Sequence, residues 1–157
     1  MSDYERSTTT KTLATLPHEI RAAILAKAES QQLTVPDTAV AFLTHSRKRK
    51  RGLLGRLVDR DDEHHTALVI GDKDVLVCRS AAKAGQQVLS GRLEDLSLGS
   101  RIAAETYAAA GVSPGDGMTI NGFHVGKDRG SYYVGLGAPD GEKAREALEA
   151  ALRRAKA

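Results

Sequence analysis

The feature that most constrains the fold is a succession of short apolar segments, each bounded by turn-forming residues, between residues 38 and 136. The clearest pair is 66–70 and 75–78, which flank the sequence Gly-Asp-Lys-Asp. A second pair, 118–125 and 131–136, flanks the sequence GKDRG. Short apolar segments around such tight turns are typical of hairpins. The chain is therefore predicted to be built mainly from antiparallel strands.

Three further segments have strand character: 38–45, 87–93, and a short stretch that contains Leu96 and Leu98. They bring the predicted number of strands to seven. An Ala-rich segment, 101–110, ends at Gly111 and favours a short helix inserted between strands.

Two longer segments have the spacing of amphipathic helices. Residues 17–31 begin with a proline suited to a first helical position, and apolar residues recur every four positions. The C-terminal segment follows Pro139-Asp140-Gly141 and places apolar side chains on one face. Residues 1–12 are polar and aperiodic, which predicts a flexible tail. The remainder, 13–157, is expected to form one domain with its core in 37–156.

One part of this pattern resembles a known family. The stretch ALVIGDKDVLVCRS, followed by GQQVLSGRLEDLSL, is similar to the bacterial domains of the pleckstrin-homology-like (PH-like) superfamily. In those domains a hairpin with a charged turn precedes a strand that ends in a step like Leu93-Glu94-Asp95-Leu96. The resemblance implies an α+β, mainly β fold: a strongly bent antiparallel seven-stranded sheet or partial barrel with a C-terminal helix. A longin-like or profilin-like arrangement remains the alternative.

Charge is distributed unevenly along the chain. The 157 residues carry a net charge of +3, yet segment 46–56 alone carries six positive charges and no acid. The remainder therefore carries −3. The cationic residues of this segment are Arg47, Lys48, Arg49, Lys50, Arg51 and Arg56. Leu53 and Leu54 lie among them and Leu57 follows directly, which defines a basic and apolar loop over residues 46–58.

This basic and apolar segment lies in the predicted connection 46–63, which is far longer than an ordinary hairpin loop. Cationic side chains attract anionic lipid head groups, and leucines can enter the interface. Eukaryotic PH-like relatives bind phosphorylated head groups with the same connection, so the resemblance implies lipid binding. The second-strand basic residues of that pattern are replaced here by 64–68, which favours non-specific attraction. The alternative is a solvated loop whose leucines fold back onto the domain.

Other partners are also conceivable from the sequence. The segment contains no aromatic residue to stack on bases, and only 4% of the chain is aromatic, so nucleic acid is less favoured than a membrane. A protein-interaction module or homo-oligomer, using helix 17–31 or a sheet edge, is the second hypothesis.

No motif for catalysis or for a cofactor is evident, so we expect a non-enzymatic protein without a cofactor. Cys78 lies in an apolar run, and Ser90 and Ser131 lack a nucleophile elbow. The ligand-capable run 59–65 has neither the spacing of a calcium loop nor that of a zinc site. The polar N-terminus and the absence of a spanning apolar run predict a cytoplasmic protein, with peripheral membrane association as the binding hypothesis implies.

Overall fold

A computed structural model describes residues 4–48, 63–99 and 117–157. These residues form an α+β, mainly β structure, which confirms the predicted class. The elements in chain order are β1 (Tyr4–Thr12), α1 (His18–Ser30), β2 (Val40–Lys48), β3 (Glu63–Ile70), β4 (Asp74–Ala81), β5 (Gly85–Arg92), β6 (Ser97–Leu98), β7 (Gly117–Val125), β8 (Asp128–Gly135) and α2 (Gly141–Lys156).

The strands are divided between two antiparallel sheets. The larger sheet has the order β1-β2-β3-β4-β5, and the smaller has the order β6-β7-β8. Both predicted hairpins are confirmed as β3–β4 and β7–β8. The described strands therefore do not form the single seven-stranded sheet that was expected. The predicted helix 101–110 lies outside the described residues.

The prediction of a flexible tail is wrong for residues 4–12, which form the edge strand β1. This strand pairs along its whole length with β2, from Tyr4 opposite Lys48 to Thr12 opposite Val40. Thr8 is completely buried, and its hydroxyl lies 2.8 Å from that of Thr44. The residues are polar, but threonine is β-branched and well suited to strands, and the buried hydroxyl has a partner.

The outer edge of β1 is held by the connection between β8 and α2. The backbone N–H of Thr8 donates to the carbonyl of Ala138, and the N–H of Asp140 donates to the carbonyl of Thr8, each at 3.1 Å. The hydroxyl and N–H of Thr10 both donate to the Asp140 carboxylate, at 2.7 and 2.9 Å. These hydrogen bonds lower the pKa of Asp140. The start of α2 is thus attached to the N-terminal strand.

One face of the larger sheet, which we call the outer face, is covered by α1. The predicted helix 17–31 is confirmed as His18–Ser30. Its apolar side is buried against the chain's own sheet, so it is not the open docking face that the homo-oligomer hypothesis assumed. The buried residues of this layer are Leu13, Leu16, Ile20, Ile24, Ala28, Ala39, Ala41, Ala67, Val69, Leu76 and Cys78.

The opposite face, the inner face, is covered by the smaller sheet and α2. Gly122 sits at a bulge in β7 with φ of 104°, and a Cβ there would lie 2.4 Å from the carbonyl oxygen of Asp95. Only glycine suits this position. The buried residues of this layer are Phe42, Leu68, Ile70, Val75, Val77, Leu93, Leu96, Met118, Ile120, Phe123, Val134, Leu136, Ala144, Leu148, Ala151 and Leu152.

Neither α1 nor α2 is long and apolar enough to cross a membrane, and the same holds for every helical turn in the three described ranges.

Candidate anion-binding end of the sheet

Three parts of the chain meet at one end of the larger sheet: the start of β1, the end of β2 with the start of β3, and the turn between β4 and β5. The register places Tyr4 opposite Lys48, Arg47 opposite Glu63, and Ala81 between His64 and Gly85. We call this region the basic end and define it as residues 4–7, 45–48, 63–66 and 79–87.

The basic end has more cationic than anionic side chains. Its acids are Glu5 and Glu63. Its cations are Arg6, Arg47, Lys48, Arg79 and Lys83.

The opposite end of the sheet, residues 10–13, 37–41, 70–75 and 90–95, has the reverse balance. There, the cations Lys11, Lys73 and Arg92 face a larger set of acids: Asp37, Asp72, Asp74, Glu94 and Asp95. The larger sheet is therefore electrically polarised along its strands, a property that orients a protein near a charged partner.

The predicted binding residues fall partly within the basic end. Arg47 and Lys48 are the last residues of β2, and both are exposed. Strand β2 thus extends beyond the predicted end at residue 45. The remaining predicted residues, Arg49, Lys50, Arg51, Leu53, Leu54, Arg56 and Leu57, lie outside the described residues. Their participation stays a prediction. Arg49, Lys50 and Arg51 directly follow Arg47 and Lys48 in the sequence, and these two residues lie at the exposed end of β2.

The outer face of the basic end carries a cluster of His45, Glu63 and His65. His45 Nε2 hydrogen-bonds the Glu63 carboxylate, and this contact is the main reason that the pKa of Glu63 is lowered. The rings of His45 and His65 stack with centroids 4.8 Å apart, and burial lowers the pKa of His65. Sequence reasoning did not bring these histidines together, because their proximity depends on the β2–β3 register.

This cluster does not have the arrangement of a metal site. In the described ranges, no three side chains of His, Cys, Asp or Glu are placed to hold an ion.

The sole cysteine, Cys78, is buried beneath α1, and burial raises its pKa to about 11. A thiolate is therefore strongly disfavoured at neutral pH.

The inner face of the basic end carries Arg6, His64 and Arg79. Across the sheet, Ser46 lies between Arg6 and His64, and Arg79 pairs with Thr66, which is two residues from His64 on the same face. His64 is half-buried, and its pKa is lowered to about 4, first by burial and then by the positive charges of Arg79 and Arg6. The imidazole is therefore neutral at pH 7, and it lies beside two cations.

Arg6 is positioned by the smaller sheet. A Cβ at Gly135 would lie 2.1 Å from Arg6 Nε, so the absence of a side chain there leaves room for the arginine. The guanidinium carbon lies 6.0 Å from the centre of the Tyr133 ring, within cation–π range. Sequence reasoning missed Arg6 because it placed this residue in a tail. Alternation along β1 would have revealed which face it occupies.

The lowered pKa of His64 predicts a specific pH dependence of stability. The folded-state pKa of His64, about 4, lies below the ordinary 6.5. The stability that the neutral imidazole contributes to the folded state is therefore fully present above pH 6.5 and is lost as the pH falls toward 4. After allowance for solvent screening of this half-exposed ring, we expect a loss of about 1 kcal/mol. Urea unfolding at pH 7 and pH 4.5 should show a smaller difference for His64→Gln than for the wild type. An identical difference in both proteins would contradict the assignment.

Comparisons of the chain with protein-family models, with curated proteins and with solved structures found no match.

Proposed function

We propose that this protein is a non-enzymatic binding module that attaches to anionic surfaces, membrane head groups before nucleic acid, through its basic end and the basic and apolar loop 46–58. The observation that carries the proposal is the charge separation along the larger sheet, with the cationic run 47–51 starting at the positive end. The acidic opposite end would be repelled by the same surface, so the field favours a single orientation.

The expected energies are sufficient for reversible attachment. Each Lys or Arg close to an anionic bilayer contributes about 1 kcal/mol, and a small number of leucine side chains adds to this when they enter the interface. The five consecutive cations at 47–51 therefore supply about 5 kcal/mol before any contribution from the leucines. Since this attraction needs no specific head group, it should weaken strongly with salt.

The proposal includes a PH-like fold. It is supported by the antiparallel meander β2-β3-β4-β5, the following smaller sheet, and a C-terminal helix packed in the inner layer. The two sheets are connected on one side by the turn Leu93–Asp95 and on the other by residues 137–140, which run beside β1. In this interpretation β1 and α1 are additions to the simplest form of the fold.

The experiment is co-sedimentation with vesicles of phosphatidylcholine alone and with vesicles that also contain phosphatidylserine. The wild type is expected to bind only the anionic vesicles. Replacement of residues 47–51 by alanine should weaken this binding at least tenfold, because the main cationic run is removed.

A matched control removes five exposed cations from other parts of the chain. The substituted residues are Lys73, Lys127, Lys143, Arg153 and Arg154, each changed to alanine. This variant loses the same total charge but keeps the basic end, so its binding should stay within threefold of the wild type. Equal binding by the wild type and the 47–51 variant would refute the proposal.

A protein-interaction module remains the second candidate. The observation that favours it is β8, which in the described part of the chain pairs only with β7 and so leaves one edge able to accept a partner strand. Such a module would bind its partner at this sheet edge and not through the apolar side of α1, which is buried.

A further inference from the structure

We propose that Arg6, Arg79 and His64 form a binding site for a phosphate group on the inner face of the basic end. This site lies on the opposite face of the sheet from His45 and His65, and it does not include residues 47–51. It therefore goes beyond the proposed attachment to anionic surfaces, since it gives the protein a defined place for one phosphate.

The strand register brings the three side chains together. Neighbouring strands lie about 4.8 Å apart, so Arg6 and His64, separated by β2, start about 10 Å from each other. Arg79 is diagonal to His64 on the adjacent strand, a separation of about 7 Å. Both arginines are close enough to His64 for their charges to lower its pKa, so the imidazole lies between two cations, one on each side of its strand.

The local charge favours an anion. Every charged group that shifts the titration of His64 is a cation or another histidine: Arg79, Arg6, His65 and His45. Both arginines are only partly exposed, which strengthens their attraction for an anion compared with fully solvated cations. The guanidinium fork matches the geometry of phosphate oxygens and forms paired hydrogen bonds to them.

Hydroxyl groups also lie on this part of the inner face. Ser46 and Thr66 are buried on the inner face, next to His64 in the ladder. Tyr132 of β8 packs against the inner layer, and the charge of Arg79 partly offsets the burial that raises the pKa of this tyrosine. Hydroxyl donors beside arginine are a common addition in phosphate sites because each satisfies another phosphate oxygen.

The group that the site would bind is a phosphate ester or free phosphate. Two kinds of ligand carry such a group: a small phosphorylated molecule and a phosphorylated lipid head group. The first arm of the test uses inorganic phosphate at constant ionic strength, with the His64 imidazole followed by NMR. We expect binding to raise the pKa of His64 by at least half a unit, because the bound anion stabilises the imidazolium. The second arm uses phosphatidylcholine vesicles with and without phosphatidic acid, compared with phosphatidylserine vesicles of equal charge.

Arg79→Gln should reduce phosphate affinity at least tenfold, as expected for the loss of a charge-assisted pair. The matched control is Arg92→Gln, which removes an exposed arginine from the opposite end of the sheet and should leave affinity unchanged. Arg79→Lys keeps the charge but loses the forked guanidinium, so its phosphate affinity should lie between those of Arg79→Gln and Arg92→Gln. Melting curves establish that each variant is folded.

The variant with alanine at 47–51 separates this proposal from the previous one. It should lose attachment to phosphatidylserine vesicles but keep the response of His64 to inorganic phosphate. A His64 pKa that does not change in up to 20 mM phosphate, together with equal binding of the folded wild type to phosphatidic acid and phosphatidylserine vesicles of equal charge, would overturn the phosphate site and leave surface attachment unaffected. A preference for phosphatidic acid without a response to inorganic phosphate would overturn it for free phosphate and assign the site to a lipid.

Discussion

Deletion of residues 1–12 is expected to leave the protein unfolded at 25 °C, so that heating produces no cooperative unfolding transition. The deletion removes the edge strand β1, all of its hydrogen bonds to β2, and the buried Thr8. It also removes the partners of Asp140 and of the Gly137 N–H, which donates to the Thr8 hydroxyl at 2.9 Å. Natural domains are stable by only about 5–15 kcal/mol, so the loss of a whole strand exceeds what the remainder can tolerate. Circular dichroism during thermal unfolding measures the result.

The control for this deletion is removal of residues 1–3, which precede β1. That shorter deletion should leave the melting temperature within about 2 °C of the wild type, since the strand Tyr4–Thr12 is kept whole. A 1–12 deletion that melts cooperatively at the wild-type temperature would show that β1 does not contribute to the folded domain.

Phe123→Ala is expected to lower the free energy of unfolding by about 3–5 kcal/mol. Phe123 is completely buried on β7, beside the bulge at Gly122, and it belongs to the inner hydrophobic layer. Truncation of the ring removes its apolar contacts and leaves a cavity that the neighbouring strands cannot fill completely. Equilibrium unfolding in urea gives the change directly.

Val125→Ala is the matched control because Val125 lies two residues further along the same strand but is 51% exposed. Its substitution should change stability by less than about 0.5 kcal/mol, as is usual at exposed positions. A loss below 1 kcal/mol for Phe123→Ala would mean that β7 does not pack in the core as described.

The hairpins were predictable from local sequence. Turn residues at 71–74 and 126–130 separate apolar segments of strand length, and such patterns determine pairing between neighbours. The spacing of Ile20, Ile24 and Ala28 likewise predicted α1, although not its partner. What local patterns do not contain is the division of the strands into two sheets, which depends on packing between distant elements.

Strand β1 was missed for a physical reason. Prediction from hydrophobic alternation requires apolar residues on the buried face, but here that face is occupied by Thr8, with polar neighbours on either side. Burial is possible because its hydroxyl is paired with that of Thr44 and accepts the N–H of Gly137. The partners are far along the chain, so composition alone indicated a tail.

The candidate site, too, was only partly predictable from the sequence. The run 47–51 was evident in the sequence because its charges are consecutive. Arg6 and Arg79 are isolated in sequence and become neighbours of His64 only through the register of four strands. A site that is assembled across a sheet in this manner can be recognised only when the order and register of the strands are known.

The most direct test of the account is an NMR titration of the ¹⁵N-labelled protein with bicelles of phosphatidylcholine and phosphatidylserine, followed amide by amide. We predict that shift changes and line broadening are concentrated in residues 4–7, 45–58, 63–66 and 79–87. Perturbations centred instead on α1, or on residues 70–75 and 90–95 at the acidic end of the sheet, would contradict it.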